Sequence, residues 1–476
     1  MSFEPRSIPV DPDAKGALAS KGLDYRLIDP SDSAALDGWI DADHRGFHHA
    51  RPREVTREYE RRVMGERRLH GVFDPGVPDP IVPVATVSSW PTGLSVPGGR
   101  SVDGWAVSSV TVSPTHRRRG IARAMMEAEL RSAKRAGAAV AMLTVTEATI
   151  YGRYGYAPAA RAATIEIDRR RAKWIGPAAP GRVHFVEPTT LRDAAAAISR
   201  RAVARTPGEI DRWSGILDRM LGLVDPESDA SRSLRAIRYD DEHGQPQGFA
   251  AFRVTREPNE PGWAEFDVLA AASDDAERAL WRVLVEQDFV SGIRGRLRSV
   301  DEPIEWLLED PRAVRVTEAT DHLWVRIVDA AAALGARRYG AAGELVLDIE
   351  DPLGYAAGRY NLLASADGRA VVHVPRPDGS TDGAGGGSTT SAAPKRERAR
   401  ARAASAEGSG SRSAARAAEP RSLKLDVRDL ASIYLGGVRP SVLARAGRIT
   451  ASSSGALELA DRMFASTRAP HLSIWF

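Results

Sequence analysis

Three consecutive arginines followed by a glycine stand in the stretch VTVSPTHRRRGIARAMMEAEL, residues 110–130. Val110 and Val112 close an alternating strand pattern, and Pro114 and Thr115 end it. Ile121, Ala124, Met125 and Ala128 then recur at the spacing of one helix face. The N–H groups of a helix's first turn have no intrahelical partner and sit at the positive end of the macrodipole. Gly120 has no Cβ to hold a ligand off the backbone. Arginines at that end are repelled by the dipole unless an anion joins them. The junction therefore predicts a site for phosphate or pyrophosphate, built from Arg117, Arg118, Arg119, Gly120 and the first helical turn.

The middle of the chain repeats the plan with the opposite charge. GFAAFRVTREPNEPGWAEFDV again reads as strand, turn and strand, and LAAASDDAERAL leads into an amphipathic helix. Here Asp274 and Asp275 occupy the helix start and the glycine is missing. Carboxylates complement a helix N-terminus by themselves and repel phosphate. The second copy is expected to be scaffolding.

Around these junctions the elements are those of mixed α and β units. PDPIVPVATVSSWPTG and GWAVSSVTVSP read as paired antiparallel strands, with a helix over 118–136. AAVAMLTVTE is nearly continuously apolar, as suits a strand buried on both faces. Segment 376–421 contains no Val, Ile, Leu, Met or aromatic residue and reads as a disordered insertion. Strand patterns flank it, GELVLDIEDP and AVVHVP before and SLKLDVRDLASIYLGG after, so it is expected to be a loop within one domain. The chain ends on HLSIWF, an apolar close where frayed polar residues are usual.

Composition narrows the chemistry. With no cysteine there are no disulfides, thiolate nucleophiles or Cys-ligated zinc. His44, His48 and His49 lie close together without the spacing of a metal motif, and no metal is expected. The net charge of +3 comes from the insertion, where nine Lys and Arg face five Asp and Glu. The body is near neutral, so no nucleic-acid partner is expected. No apolar run long enough for a membrane span occurs and the N-terminus lacks a secretory pattern, so a cytoplasmic protein is expected.

Arg117 to Ala122 resembles the (R/Q)xxGx(G/A) loop of the GCN5-related N-acetyltransferases (GNATs). VSPTHRRRGIARAM together with TEATIYGRYGYAPA at 146–159 resembles, more narrowly, the enhanced-intracellular-survival (Eis) acetyltransferases. The resemblance covers the chain apart from the insertion. It implies an α+β protein with a catalytic GNAT domain at 1–165, a degenerate GNAT-like domain at 166–320 and a sterol-carrier-protein-like domain at 321–476. It also implies acetyl-CoA as co-substrate, a small-molecule amine as acceptor, and a homohexamer.

Roles follow by matching positions. Val110, Thr111 and Val112 match the strand that pairs with the pantetheine arm, and an amide near Val112 would polarise the thioester carbonyl. Arg118 to Arg123 (with Ile121 and Ala122 between them) match the pyrophosphate loop and first turn, and Thr146 and Glu147 the end of the next strand. Tyr151 matches the general acid, and the carboxylate of Phe476 the general base. Phe47, His48, Trp90 and Trp475 are the expected acceptor walls. Relatives that acetylate aminoglycosides carry an acid where Trp475 stands, which implies a less cationic acceptor here. Acetylation of protein lysines and acyl-CoA binding without turnover are the alternatives. Tyr151 and the terminal Phe476 argue against the second of these.

Overall fold

The computed structural model describes residues 4–256, 262–375 and 420–476. The expected insertion therefore lies, but for its last two residues, outside the described residues. The first unit supplies β1 (Asp24–Leu27), β2 (Arg68–Phe73), β3 (Ala85–Val96), β4 (Arg100–Val112), β5 (Val140–Thr144) and β6 (Ala157–Asp168). The second supplies β7 (Arg182–Val186), β8 (Arg235–Asp240), β9 (Pro246–Thr255), β10 (Gly262–Ala271) and β11 (Val290–Arg298). β12 (Val314–Ile327) leads into the third unit.

These strands form one twelve-stranded sheet, in the order β1-β2-β3-β4-β5-β12-β6-β11-β10-β9-β8-β7. β12 enters between β5 and β6 and pairs antiparallel with both. β6 in turn pairs with β11 of the second unit. The expected divisions after residues 165 and 320 thus fall inside β6 and β12, because the units share hydrogen-bonded strands instead of meeting at linkers. β5 lies between β4 and β12, and its residues 140–143 are buried, as its unbroken apolar run requires.

The third unit has its own sheet of β13 (Gly343–Glu350), β14 (Gly358–Ala364), β15 (Ala370–His373), β16 (Ser422–Asp426) and β17 (Ile449–Ala451), ordered β15-β14-β13-β16-β17. β16 pairs parallel with β13. The chain on either side of 376–419 therefore belongs to one sheet. Helices Val427–Tyr434 and Ser454–Phe464 pack their apolar faces into a core that continues into the second unit.

The helix that follows β4 runs Ile121–Arg135 and buries Ile121, Met125, Met126, Ala128 and Leu130. Trp105 on β4 donates its Nε1–H to Glu129 Oε2 at 3.0 Å, which ties this helix to the strand beside the cleft. In the second unit Asp274–Val285 plays the corresponding part and buries Leu280, Trp281 and Leu284.

Candidate active site

β4 and β5 run parallel but pair only at Gly104–Val140, Trp105–Ala141 and Ala106–Met142. Beyond Ala106 they part. The register of β4 against β3 slips there, and Ser109 takes a left-handed φ of 56°. Such a backbone costs on the order of 1–3 kcal/mol for a residue with a side chain. Thr86 holds it, donating from Oγ1 to the Ser109 carbonyl at 2.8 Å. The β5-facing edge of Val110, Thr111 and Val112 is left without a strand partner. Its main-chain groups are available to an extended ligand arm. Gly46 ends the helix Ser33–Gly46 against this strand so closely that a Cβ would lie 2.5 Å from Thr111.

After β4 the chain makes one 3-10 turn, Pro114–His116, and enters the arginine loop. Arg118 (φ 62°) and Gly120 (φ 77°) are left-handed, the backbone form that gathers N–H groups into an anion-binding concavity. Gly120 is the N-cap and no side chain caps the helix. Ala124 N donates to Gly120 O at 3.1 Å, so the N–H groups of Ile121, Ala122 and Arg123 have no intrahelical acceptor.

The three arginines are not equivalent. Arg119 donates to the Lys21 carbonyl at 2.9 Å and lies 3.5 Å from Asp74 Oδ2, which also receives His116 Nε2 at 2.9 Å. Lys21 Nζ answers with a 2.7 Å bond to the Arg119 carbonyl. Arg119 thus has an anion within the protein and braces the loop. Arg117 and Arg118 are exposed, with no side-chain partner among the described residues. Arg123 is exposed on the first turn.

Thr146 and Glu147 lie exposed just past β5, and Glu147 Oε1 accepts from Thr149 at 3.1 Å. Tyr151 ends the single turn Ala148–Tyr151. It is 8% exposed and packs edge-on to Tyr156, with ring centroids 6.3 Å apart. Its hydroxyl has no hydrogen-bond partner among the described residues and is not fully enclosed. Burial, with the Tyr154 and Glu147 charges adding to it, pushes its pKa up to about 12. Tyr154 and Tyr156 are buried packing residues.

The C-terminal stretch is fastened at nearly every residue. His471 N donates to Pro207 O at 2.8 Å, and its Nε2 lies 2.7 Å from Leu297 O on β11. Ser473 meets Glu209 Oε1 through its N–H at 3.1 Å and accepts from Arg212 at 2.7 Å. Leu472 and Ile474 are buried. His322 on β12 holds the Ile474 carbonyl through Nε2 at 2.8 Å, and burial lowers its pKa to about 4, so Nε2–H is the donor of a neutral ring. Phe476 then reaches the first unit. Its main-chain oxygen accepts from Thr144 Oγ1 at 2.7 Å, at the end of β5. Its ring meets Trp90 edge-on at 5.6 Å.

Of the expected acceptor walls, Trp90 meets the ring of Phe476, the expected base. Phe47 and His48 follow the helix Ser33–Gly46, and Phe47 stacks on His49 at 6.0 Å. Trp475 turns its half-exposed ring onto His322 at 4.4 Å. His44 is engaged by Glu60 at 2.8 Å and by the Ala50 carbonyl. Among the described residues, no group of acids and histidines is arranged to hold a metal. Sequence reasoning missed Thr144, His322, Glu209 and Arg67. Each acts across more than 100 residues or through a single side chain, and none belongs to a local pattern.

Comparison with known proteins agrees with this architecture. Residues 27–159 and 208–327 each match an acetyltransferase (GNAT) domain model, and 395–473 a sterol carrier protein domain model. An uncharacterized N-acetyltransferase of Streptomyces avermitilis is 32% identical over 463 residues, covering 94% of this chain and 97% of that protein. N-acetyltransferase Eis of Mycobacterium tuberculosis is 32% identical over 381 residues, 78% of this chain and 81% of Eis. The crystal structure of Eis1 from Mycobacterium abscessus superposes with a TM-score of 0.74 at 27% identity, covering 95% of this chain and all of that one.

Proposed function

This chain belongs to the Eis family of GNAT N-acetyltransferases, and from that premise we propose a division of labour among its residues. The enzyme moves an acetyl group from acetyl-CoA to an amine. In the proposal, the concavity of Arg117, Arg118, Gly120 and the first-turn N–H groups takes the pyrophosphate. The free edge of Val110 to Val112 takes the pantetheine arm, and an amide near Val112 steadies the oxygen of the attacked carbonyl.

The acceptor amine then attacks the thioester carbon. The C–N bond forms, the C–S bond breaks, the amine loses a proton, and the thiolate gains one. We assign the first proton to the terminal carboxylate of Phe476, which the Thr144 and Trp90 contacts bring to the end of β5. The second is assigned to Tyr151 as general acid, acting through a hydrogen bond to the sulfur, with solvent completing the net protonation. The high pKa of Tyr151 keeps it protonated, but also makes it a weaker acid than a free phenol. A thiol ionises near ~8.5, so full transfer from such a phenol is uphill at rest. Tyr151 is accordingly assigned a hydrogen bond to the departing sulfur, tightening as charge develops and followed by reprotonation from solvent.

One observation carries this reading most strongly: the uncapped helix start, with two unpaired arginines, opens beside the one parting of β4 and β5 that leaves Val110–Val112 free. Tyr151→Phe tests the mechanism. It should lower kcat by about 100-fold, at the low end for a proton donor, with the KM for acetyl-CoA nearly unchanged. A fall in acetyl-CoA affinity at constant kcat would make Tyr151 a packing residue. Assembly as a homohexamer rests on family resemblance alone, and sedimentation velocity checks it.

A further inference from the structure

Arg67 stands between the helix Glu54–Gly65 and β2 and is only 7% exposed. Its guanidinium lies 3.7 Å from the centre of the Trp90 ring and 4.9 Å from that of Trp213. Two indoles offset part of the desolvation of a cation. They do not supply the acceptors that five N–H groups seek. Among the described residues the Arg67 guanidinium has neither a hydrogen bond nor an ion pair, yet none of its nitrogens is fully enclosed. Burial draws its pKa down to about 10, so it remains charged at neutral pH.

The groups around it do not complete the charge. Tyr59 faces it with a neutral hydroxyl already donated to Gly215 O at 2.8 Å. Arg219 adds a second positive charge, and among the described residues its guanidinium donates to the Trp475 carbonyl at 3.4 Å. Glu66 is exposed. Asp43 is half-buried, and its Oδ1 is enclosed without a hydrogen-bond partner among the described residues. Burial raises its pKa to about 6, and it favours the Arg67 charge from a distance without forming an ion pair. Trp213 contributes another donor, an Nε1–H with no acceptor among the described residues. Phe476 directs its main-chain oxygen to Thr144 and makes no ion pair with Arg67. Unmatched donors and positive charge are thus concentrated on Trp90, the same indole that Phe476 touches. A buried cation without a partner is costly, and a planar guanidinium is shaped to receive a carboxylate through two parallel bonds.

We propose that the acceptor carries a carboxylate beside its amine, and that Arg67, between Trp90 and Trp213, receives that carboxylate. The proposal rests on the acetyl-transfer reading and narrows it to amino acids and related amino carboxylates. Arg67 is then a specificity-determining residue, and an acceptor with added positive charge meets Arg67 and Arg219 unfavourably.

Matched acceptors test this: 4-(aminomethyl)benzoate against 4-(aminomethyl)benzamide, and lysine against lysinamide, with acetyl-CoA saturating. The acid of each pair should show a KM at least about ten-fold lower, the scale of one charge-assisted bond. Arg67→Met should raise the KM of the acids to that of the amides and leave the amides unchanged, and Arg67→Lys should restore part of the difference. Equal KM for acids and amides in the wild-type enzyme would overturn the proposal while leaving acetyl transfer intact. So would a variant that slows both series alike, which would place Arg67 in the service of Phe476 or of the fold. If Arg67→Met does not fold, the wild-type ratio decides alone. Failure to acetylate any amine, acid or amide, would instead overturn the acetyl-transfer reading beneath it.

Discussion

The two GNAT units start from the same parting of parallel strands and finish with opposite contents. In the first, β4 and β5 separate after Ala106 and the gap beside Val110–Val112 stays free of other strands. In the second, β10 and β11 separate after Phe266 and Gly295, and side chains of the protein cross the gap beside a cavity of about 480 Å³. Arg298 reaches across to the Leu269 carbonyl at 3.4 Å, and His471 of the C-terminal stretch takes the Leu297 carbonyl. The helix starts differ in the same sense. The first has Gly120 and no side-chain cap, whereas the second has Ser273 accepting from Ala276 N and three acids in its first turn. Asp274 there pairs with Arg205 and Arg468. In the proposed reading the first unit's donors serve a ligand, whereas the second unit's junction is paired within the protein, in part with the C-terminal stretch.

The largest way to break this contrast is to dislodge what the C-terminal stretch delivers. Adding a short Gly-Ser extension after Phe476 should cut kcat by about 100-fold or more, as loss of a positioned base does. The KM for acetyl-CoA should hold, because the first unit's loop is untouched. An extended enzyme with the original kcat would separate Phe476 from the chemistry.

A smaller effect sharpens it. Burial holds His322 neutral, with a folded pKa of about 4 against ~6.5 unfolded. Between these values the unfolded chain binds more protons, so stability rises with pH through this window and is lost as pH falls from 6.5 toward 4. The full effect is about 3 kcal/mol. His322→Gln should flatten that slope in chemical denaturation curves measured from pH 4 to 7. An unchanged slope would assign the acid sensitivity elsewhere.

How much of this was legible in sequence depends on the range of each interaction. The strand, turn and helix around Gly120 follow from local periodicity, and so does their charge-reversed copy at Asp274. The sheet order was not legible, because β12 joins β5 and β6 across some 170 residues of chain and no local pattern encodes a partner at that distance. The arginine triplet was read as one unit, but Arg119 proves to be paired within the protein because Asp74 arrives from another loop. HLSIWF reads as a tail anchored by Ile474 and Trp475; Ile474 is buried together with Leu472, whereas Trp475 is half-exposed because its ring packs on His322 at the surface. The tail's fastenings to Pro207, Glu209, His322 and Thr144 come from three different stretches of chain and could not be read from the tail itself.

The most direct test of the central claim is the stoichiometry of acetyl-CoA binding by isothermal titration calorimetry, on the wild-type chain and on one whose first junction is given the second's charge by Arg118→Asp and Gly120→Asp. One acetyl-CoA per wild-type chain, with affinity lowered by about ten-fold or more in the exchanged chain, is the predicted result. Two equivalents per chain, or binding that survives the exchange unchanged, would contradict the assignment of the acetyl-CoA site to the first unit and of a paired, ligand-free junction to the second.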